Sequence, residues 1–318
     1  MRVLCITLNP AIDMTVSVVG LKVGEVNRAT TAQSDPAGKG LNAAQILADL
    51  GMDAVASGFL GEQNASVFEE LFAHRQQLAS DESVGTVTDE FVRVAGETRT
   101  NIKLTDQGTT TDINGTGFVV GEQDKSALLT KLTKLAKDCQ AVLIAGSVPQ
   151  GFEMADFDAL LSALTAVNDK VAVDVSGKAL KVALKHQLWL IKPNDDELFE
   201  IFGQSAKTLN EQAALLAGLP IEHIVVSMGE RGVHWFCGDE IYGSLPPKMT
   251  VKSTVGAGDT LTAGMMAGLL AGLAPTDILA RATALSAHAV SIVGFKAASP
   301  DRLDELLAKV SVQPLQLS

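Results

Sequence analysis

A short glycine-rich turn followed by one carboxylate is the segment of this sequence best suited to chemistry. The turn covers residues 253–259, with the sequence STVGAGD, and a long uncharged helix is predicted to begin near Thr260. The first backbone N–H groups of a helix are unpaired and attract anions, so Gly256, Ala257 and Gly258 form a candidate anion hole. Beside them, Asp259 can accept a proton from an attacking hydroxyl, as phosphoryl transfer to an alcohol requires. In the simpler interpretation Asp259 only caps the helix.

A second glycine turn, at residues 37–42 with the sequence AGKGLN, precedes another predicted helix. Gly38 would allow the backbone to approach a ligand closely. Lys39 and Asn42 can donate hydrogen bonds to ligand oxygens. The turn is not a Walker A loop, because Gly40 stands where Ser or Thr would follow the lysine. A tight entry turn into a helix explains the glycines equally well.

Two polar side chains follow predicted strands. Asp13 comes after the first strand and is suited to accept hydrogen bonds from sugar hydroxyls. Ser147 follows a strand at residues 141–145 and can donate to a phosphate or a hydroxyl. Both residue types are also common in ordinary turns.

Two further strand ends carry residues suited to a nucleotide and its metal ion. Asn194 and Glu197 lie three residues apart on a predicted first helical turn, where an amide and a carboxylate can hold Mg²⁺. Capping of the helix by Asn194 is the competing explanation. The loop at residues 227–232, SMGERG, contains Ser227, Gly229 and Gly232 and fits either a hairpin turn or a nucleotide-lining loop.

Alternating strands and helices must position these groups. Predicted strands cover residues 3–8, 141–145, 171–175, 188–191 and 223–227, and predicted helices cover residues 40–50, 63–78, 125–137 and 195–202. Such alternation predicts an α/β fold with a mostly parallel sheet covered by helices on both faces. Ligands of such sheets bind at the carboxyl ends of the strands.

Two segments break this alternation. Residues 14–31 and 90–115 contain short strands and turns without helices, and we predict that they form a small β lid inserted in one domain of residues 1–318. In the second segment Arg99, Asn101 and Lys103 share one face of a strand and offer polar and cationic groups to an anionic sugar. An ordinary half-exposed hairpin is the alternative.

Composition excludes several classes of function. The chain of 318 residues has a net charge of −12, which argues against nucleic acid or an acidic membrane surface as a partner. Its three cysteines are widely spaced and contain no CxxC, so neither a disulfide framework nor a zinc site is predicted. The sequence begins without a signal-peptide pattern, and we expect a cytoplasmic location. The uncharged stretch between Asp259 and Asp277 is predicted to be a buried core helix rather than a membrane span.

The order of the motifs resembles that of the ribokinase-like, PfkB-type carbohydrate kinases over essentially the whole chain. The shared motifs are Asn-Pro-x-x-Asp, Gly-Lys-Gly-x-Asn, Thr-Arg-x-Asn, Gly-Ser-x-Pro, Lys-Pro-Asn-x-x-Glu, Ser-x-Gly and Val-Gly-Ala-Gly-Asp. The resemblance implies a three-layer α/β/α sandwich with a small β-sheet lid. It also implies a kinase that uses ATP and Mg²⁺.

The same resemblance implies roles for individual residues. Asp259 would be the catalytic base, with the anion hole at Gly256, Ala257 and Gly258. The sugar would be held by Asp13, Gly38, Lys39 and Asn42, and its existing phosphate by Arg28, Arg99, Asn101 and Ser147. ATP would contact Lys192, Asn194, Ser227, Gly229 and Gly232, and Glu197 would hold Mg²⁺.

The cationic lid favours a sugar phosphate as the substrate, and the segments at residues 24–28, 98–104 and 111–114 look most like those of family members that act on fructose 1-phosphate. That resemblance implies fructose 1-phosphate as the substrate and fructose 1,6-bisphosphate as the product. Tagatose 6-phosphate and fructose 6-phosphate are the alternatives, and a non-catalytic sugar-phosphate sensor is the alternative from another class. Exposed lid strands predict a homodimer. Near residues 291–295 the chain is shorter than relatives that form a monovalent-cation site there, so dependence on potassium stays open.

Overall fold

The computed structural model describes residues 1–317 of the chain. Its strands are β1 (Arg2–Thr7), β2 (Ala11–Val18), β3 (Thr31–Ala37), β4 (Asp53–Gly61), β5 (Val87–Asp89), β6 (Val92–Val94), β7 (Arg99–Asp106), β8 (Thr109–Asn114), β9 (Ala141–Ala145), β10 (Val171–Asp174), β11 (Leu188–Ile191), β12 (Ile221–Ser227), β13 (Val233–Cys237), β14 (Glu240–Leu245) and β15 (Ser311–Pro314). Its helices are α1 (Lys39–Asp49), α2 (Ser66–Leu78), α3 (Glu122–Lys137), α4 (Met154–Thr165), α5 (Gly177–Ala183), α6 (Asp195–Phe202), α7 (Leu209–Leu216), α8 (Ala257–Leu270), α9 (Pro275–Ala289) and α10 (Pro300–Leu307).

A sheet of 11 strands forms the middle layer, in the order β15-β14-β13-β12-β11-β10-β9-β1-β4-β5, with β6 also paired to β4. The strands from β12 to β5 pair in parallel, whereas β13, β14 and β15 are antiparallel. All five residues of β9 are buried, as expected for a strand covered on both faces. The predicted α/β class and mostly parallel sheet are therefore confirmed.

Helices pack on both faces of this sheet through two separate hydrophobic cores. One core joins the sheet to α1, α8, α9 and α10, and includes Leu41, Met265 and Leu285. The other joins it to α3, α4 and α5, and includes Leu132 and Leu161. This is the predicted three-layer arrangement.

A second sheet of four strands has the order β3-β2-β7-β8. It differs from the predicted segments 14–31 and 90–115, because β2 begins at Ala11, β3 continues to Ala37, and β6 pairs with β4 of the large sheet. Ala11 and Ile12 are apolar and buried, and they follow the first core strand closely, so no local sequence signal separates them from it as the start of β2. β3 contains Pro36, a residue that sheets accept mainly at an edge strand and that resembles a turn signal in the sequence.

The uncharged stretch after Asp259 forms α8 and packs against α9. A Cβ atom added to Gly264 would lie 2.8 Å from Cα of Ala282, and one added to Gly268 would lie 3.0 Å from the side chain of Ile278. Glycine at these positions therefore lets the two helices approach closely. Within residues 1–317, none of the helices combines the length and the apolar character of a membrane span.

Candidate active site

The predicted anion hole is the first turn of α8. Gly256 precedes the helix with φ +84°, a left-handed conformation that favours glycine. The first intrahelical bond runs from the N–H of Thr260 to the carbonyl of Gly256 (2.8 Å), so the amides of residues 257–259 have no earlier partner in the helix. A Cβ at Gly256 would lie 2.7 Å from the ring of Phe295, which fixes one side of the turn. The turn can present N–H groups to an anion.

Asp259 is buried at the start of this helix and does not cap it. Its side chain is 6% exposed, and Oδ2 accepts a hydrogen bond from Nδ2 of Asn42 (2.7 Å). Burial, reinforced by the negative charge of Asp174, raises the pKa of Asp259 to about 6. A carboxylate with this pKa is ionised at neutral pH yet basic enough to take a proton.

Asp174, at the end of β10, is a site residue that the sequence interpretation missed. It is 1% exposed and lies 3.3 Å from Nζ of Lys39 through Oδ1 and 3.3 Å from Nζ of Lys192 through Oδ2. Burial alone would raise the pKa of Asp174, but the charges of Lys192 and Lys39 hold it below its ordinary value. Its negative charge in turn raises the pKa of Lys39. An acidic residue at the carboxyl end of an otherwise apolar strand was the signal available in the sequence.

The turn at residues 37–42 is pressed against the end of β1. A Cβ at Gly40 would lie 2.5 Å from the carbonyl oxygen of Ile6, and the N–H of Leu41 donates to Oγ1 of Thr7 (2.8 Å). This contact sets the first turn of α1, which brings Lys39 to Asp174 at the end of β10 and Asn42 to Asp259 at the start of α8.

Residues predicted to bind the sugar and its phosphate lie where the small sheet meets the large one. Nδ2 of Asn101 donates to Oδ1 of Asp13 (2.9 Å), across the parallel pair β2 and β7. Arg99 donates to the carbonyl oxygens of Asn9 (3.1 Å) and Pro10 (3.3 Å), and its Nη2 lies 3.5 Å from Oγ of Ser147.

Of the two remaining predicted sugar-site residues, Gly38 lies against the large sheet and Arg28 lies at the surface. Gly38 directly precedes α1, and a Cβ there would lie 2.5 Å from Cγ2 of Thr7. Arg28 is exposed in the connection between β2 and β3. Among the described residues, no hydrogen bond or ion pair joins Arg28 to the cluster around Arg99.

Asn194 and Glu197 cap the start of α6 reciprocally. The N–H of Glu197 donates to Oδ1 of Asn194 (2.7 Å), and the N–H of Asn194 donates to Oε2 of Glu197 (2.9 Å). The capping explanation therefore accounts for both side chains, although Oε1 of Glu197 is not used by it. Burial raises the pKa of Glu197, and the negative charge of Asp174 acts in the same direction. The positive charges of Lys192 and Lys39 oppose this rise.

A cavity of about 540 Å³ opens beside this capped helix end. It is lined by Asn194, Asp195, Asp196, Lys207, Ser227, Met228, Gly229 and Arg231, and we name it the α6 cavity. Gly232 shapes the turn behind the lining: its φ is +94°, and a Cβ there would lie 1.9 Å from the carbonyl oxygen of Ser244. The loop at residues 227–232 is thus both a hairpin turn and a cavity wall.

A metal ion at this site would depend on ligands besides the protein's own side chains. No cluster of three or more His, Cys, Asp or Glu side chains within residues 1–317 is arranged to hold a metal ion alone. Mg²⁺ commonly keeps several waters and binds through one or two carboxylates together with substrate phosphates. Glu197, with one carboxylate oxygen outside the capping contacts, fits such a role.

The fold is thus a three-layer α/β/α sandwich in which a helix start with unpaired amides lies beside a buried carboxylate, an arrangement suited to phosphoryl transfer to a hydroxyl. Residues 6–302 match the profile described as pfkB family carbohydrate kinase. The chain belongs to the pfkB family.

Similar proteins agree with this assignment. A protein named 1-phosphofructokinase from Vibrio cholerae is 42% identical over 318 residues, covering 99% of this chain and 97% of its own length. A protein of the same name from Haemophilus influenzae is 35% identical over 319 residues, covering 99% of each chain. The solved structure of phosphofructokinase-2 from Escherichia coli in complex with substrates and products has a TM-score of 0.82 at 23% identity, covering 97% of this chain and 99% of that one. At this identity the last likeness concerns the fold.

Proposed function

We propose that this protein is a kinase that transfers the γ-phosphate of ATP to the 6-hydroxyl of fructose 1-phosphate, giving fructose 1,6-bisphosphate. The observation that carries the proposal is the placement of Asp259, a buried carboxylate with a pKa raised to about 6, in the first turn of α8. The two relatives named 1-phosphofructokinase support fructose 1-phosphate as the substrate.

In the proposed reaction the oxygen of the 6-hydroxyl attacks the γ-phosphorus of ATP and its proton passes to Asp259. The bond between the γ-phosphorus and the β-phosphate oxygen breaks, and ADP leaves. Asn42 holds the carboxylate in place through its 2.7 Å hydrogen bond. The amides of Gly256, Ala257 and Gly258 then stabilise charge on the transferring group, and each such donor contributes roughly 3–4 kcal/mol to transition-state stabilisation.

The sugar phosphate would bind between the two sheets. Asp13, Gly38, Lys39 and Asn42 would surround the sugar ring. Arg99, Asn101, Ser147 and Arg28 would hold its 1-phosphate, with Arg28 brought in by movement of its exposed connection. The small sheet would act as a lid, whose closure excludes water and limits hydrolysis of ATP.

ATP would lie in the α6 cavity with its γ-phosphate toward Gly258. Lys192, Asn194, Ser227 and Gly229 would contact the nucleotide, and Gly232 would keep the loop in shape. Glu197 would hold Mg²⁺ directly or through water, and the ion would neutralise charge on the phosphates.

We further propose that the protein is a homodimer and lies in the cytoplasm. The exposed Val19, Val23 and Val26 in the connection between β2 and β3 offer an apolar surface to a second copy of the chain, which favours a homodimer. The cytoplasmic location follows the expectation from the absence of a signal-peptide pattern.

The test is release of ADP by the purified protein with Mg-ATP and, in parallel, fructose 1-phosphate, fructose 6-phosphate and tagatose 6-phosphate. We expect kcat/KM to be highest on fructose 1-phosphate. Preference for one of the other sugars would overturn the substrate while leaving the mechanism in place. Absence of ADP with all three, together with retained sugar-phosphate binding, would favour the sensor alternative.

A further inference from the structure

The side chain of Arg231 stands at the wall of the α6 cavity, and the proposed reaction has not used it. Arg231 ends the short 3-10 helix Gly229–Arg231 between β12 and β13, and its side chain is 49% exposed. Its Nη2 forms an ion pair with Asp195, the first residue of α6, whose side chain is 12% exposed. Its Nη1 donates to the carbonyl oxygen of Lys207 (3.4 Å). A guanidinium has five N–H donors, so these two partners leave donors for a third.

The segments that carry Arg231 and Lys207 are tied together beneath the surface. Gln212 is fully buried, and its Nε2 donates to the carbonyl oxygen of Ala206 (2.7 Å) and lies 3.3 Å from Sδ of Met228. Its Oε1 lies 2.8 Å from Nδ1 of His234. This network joins both walls of the α6 cavity to the core. The backbone that carries Arg231 is therefore anchored to the core, which lowers the conformational entropy lost when the side chain binds a ligand.

The charges around the cavity favour a negatively charged group beside Arg231. Two acids, Asp195 and Asp196, and two cations, Lys207 and Arg231, line it. In the ion pair the acid is mostly buried and the cation is half exposed, so the pair presents positive charge to the cavity. A nucleotide phosphate carries negative charge, and arginine recognises phosphate through two parallel N–H groups.

We propose that Arg231 binds a phosphate of the nucleotide, and that Asp195 is a positioning residue that directs the guanidinium into the α6 cavity. This inference rests on the proposed function, because it takes ATP as the ligand of the cavity. It adds to that function a cationic contact from Arg231, which lies in the loop at residues 227–232 but is not one of the residues Ser227, Gly229 and Gly232 that the resemblance assigns to ATP.

The experiment measures the Kd of Mg-ATP by calorimetry in the absence of sugar, for the intact protein and for R231A and R231K. R231A should raise Kd about ten- to a hundredfold, as expected for loss of one hydrogen bond between charged groups. KM for fructose 1-phosphate should change less than about twofold at saturating ATP. R231K should give an intermediate Kd, because lysine keeps the charge but loses the two-pronged geometry. R302A removes an arginine from another exposed ion pair, that with Glu305, and should leave Kd unchanged.

The double variant D195N/R231A separates a phosphate contact from simple neutralisation of Asp195. If Arg231 binds phosphate, the double variant should bind Mg-ATP as weakly as R231A does. Recovery of the intact protein's Kd in the double variant would overturn the inference, as would an unchanged Kd in R231A. If instead the proposed function is wrong, the intact protein itself will neither bind Mg-ATP nor release ADP, which distinguishes that outcome from an effect of the R231A variant.

Discussion

The pocket around Asp259 and the small sheet differ in how firmly their side chains are held. Asp259 and Asp174 are 6% and 1% exposed, and each has polar partners from other parts of the chain. In the small sheet every residue of β7 is half-buried and every residue of β8 is exposed. Charges that take part in chemistry are effective when water is excluded and the dipoles are fixed in advance, whereas a surface that captures substrate must remain accessible.

Substitutions in the pocket around Asp259 and in the small sheet should therefore have different effects. Changes in the pocket should alter kcat and the free energy of unfolding together, because the same buried charges serve both. Changes in the small sheet should alter KM for the sugar phosphate and leave the free energy of unfolding almost unchanged. The following variants test this difference, beginning with the largest expected effect.

Asp259→Asn should lower kcat by about 10²–10⁴-fold, because the 6-hydroxyl loses its proton acceptor. The Kd of Mg-ATP should stay within about twofold of the original value, as calorimetry would measure. The variant should also be more stable above about pH 7, since the folded state binds the proton of Asp259 more tightly than an unfolded chain with a pKa of 3.8 would. The gain in the free energy of unfolding would be at most about 3 kcal/mol. Unchanged turnover would contradict the role of Asp259 as base.

Asp174→Asn should lower the free energy of unfolding by about 3–5 kcal/mol, because it leaves the buried Lys192 and its neighbour Lys39 without their counter-charge. Urea denaturation measures this difference. Glu305→Gln, which breaks an exposed ion pair with Arg302, is the matched control and should cost less than about 1 kcal/mol. Equal losses in the two variants would show that the pocket is no more tightly coupled than the surface.

Arg99→Ala should raise KM for fructose 1-phosphate about ten- to a hundredfold with little change in kcat, because a charged contact to the sugar's phosphate is lost. Steady-state kinetics at saturating ATP would measure both constants. Thr109→Ala, at an exposed position of β8, provides the control and should leave KM unchanged. A fall in kcat as large as that of Asp259→Asn would mean that the small sheet takes part in the chemistry itself.

The smallest effect is expected from Val23→Ser, at a residue 96% exposed in the connection between β2 and β3. It should weaken the proposed dimer and leave kcat per subunit within about twofold. Sedimentation velocity over a range of protein concentrations would show the shift toward monomer. A dimer of unchanged strength would place the interface elsewhere.

Local patterns in the sequence predicted the elements of the large sheet well. The bounds of β9, β11 and α6 agree with the predicted residues 141–145, 188–191 and 195–202. These are runs of apolar residues or a capped helix, whose signals lie within a few neighbouring positions. The C-terminal strand β15 went unpredicted because it is four residues long and includes Pro314.

The part of the site that depends on distant contacts could not be predicted in the same way. Asp174, Lys39 and Lys192 come from three separate strand ends or helix starts, and only the order of strands in the sheet brings them together. The ion pair between Arg231 and Asp195 likewise joins the end of a 3-10 helix to the start of α6, 36 residues apart in the sequence. A sequence pattern can indicate which residues could do chemistry, but the pKa of each depends on neighbours that only the fold determines.

The pH dependence of kcat/KM for fructose 1-phosphate tests most directly whether the buried carboxylate of Asp259 is the catalytic base. Because the ionised form accepts the proton, kcat/KM should rise with pH, with a midpoint near the pKa of about 6, and reach a plateau above it. Asp174→Asn should move this midpoint to lower pH, since the negative charge of Asp174 contributes to the raised pKa. A profile without a rise near pH 6, or the same rise in the residual activity of Asp259→Asn, would contradict the account.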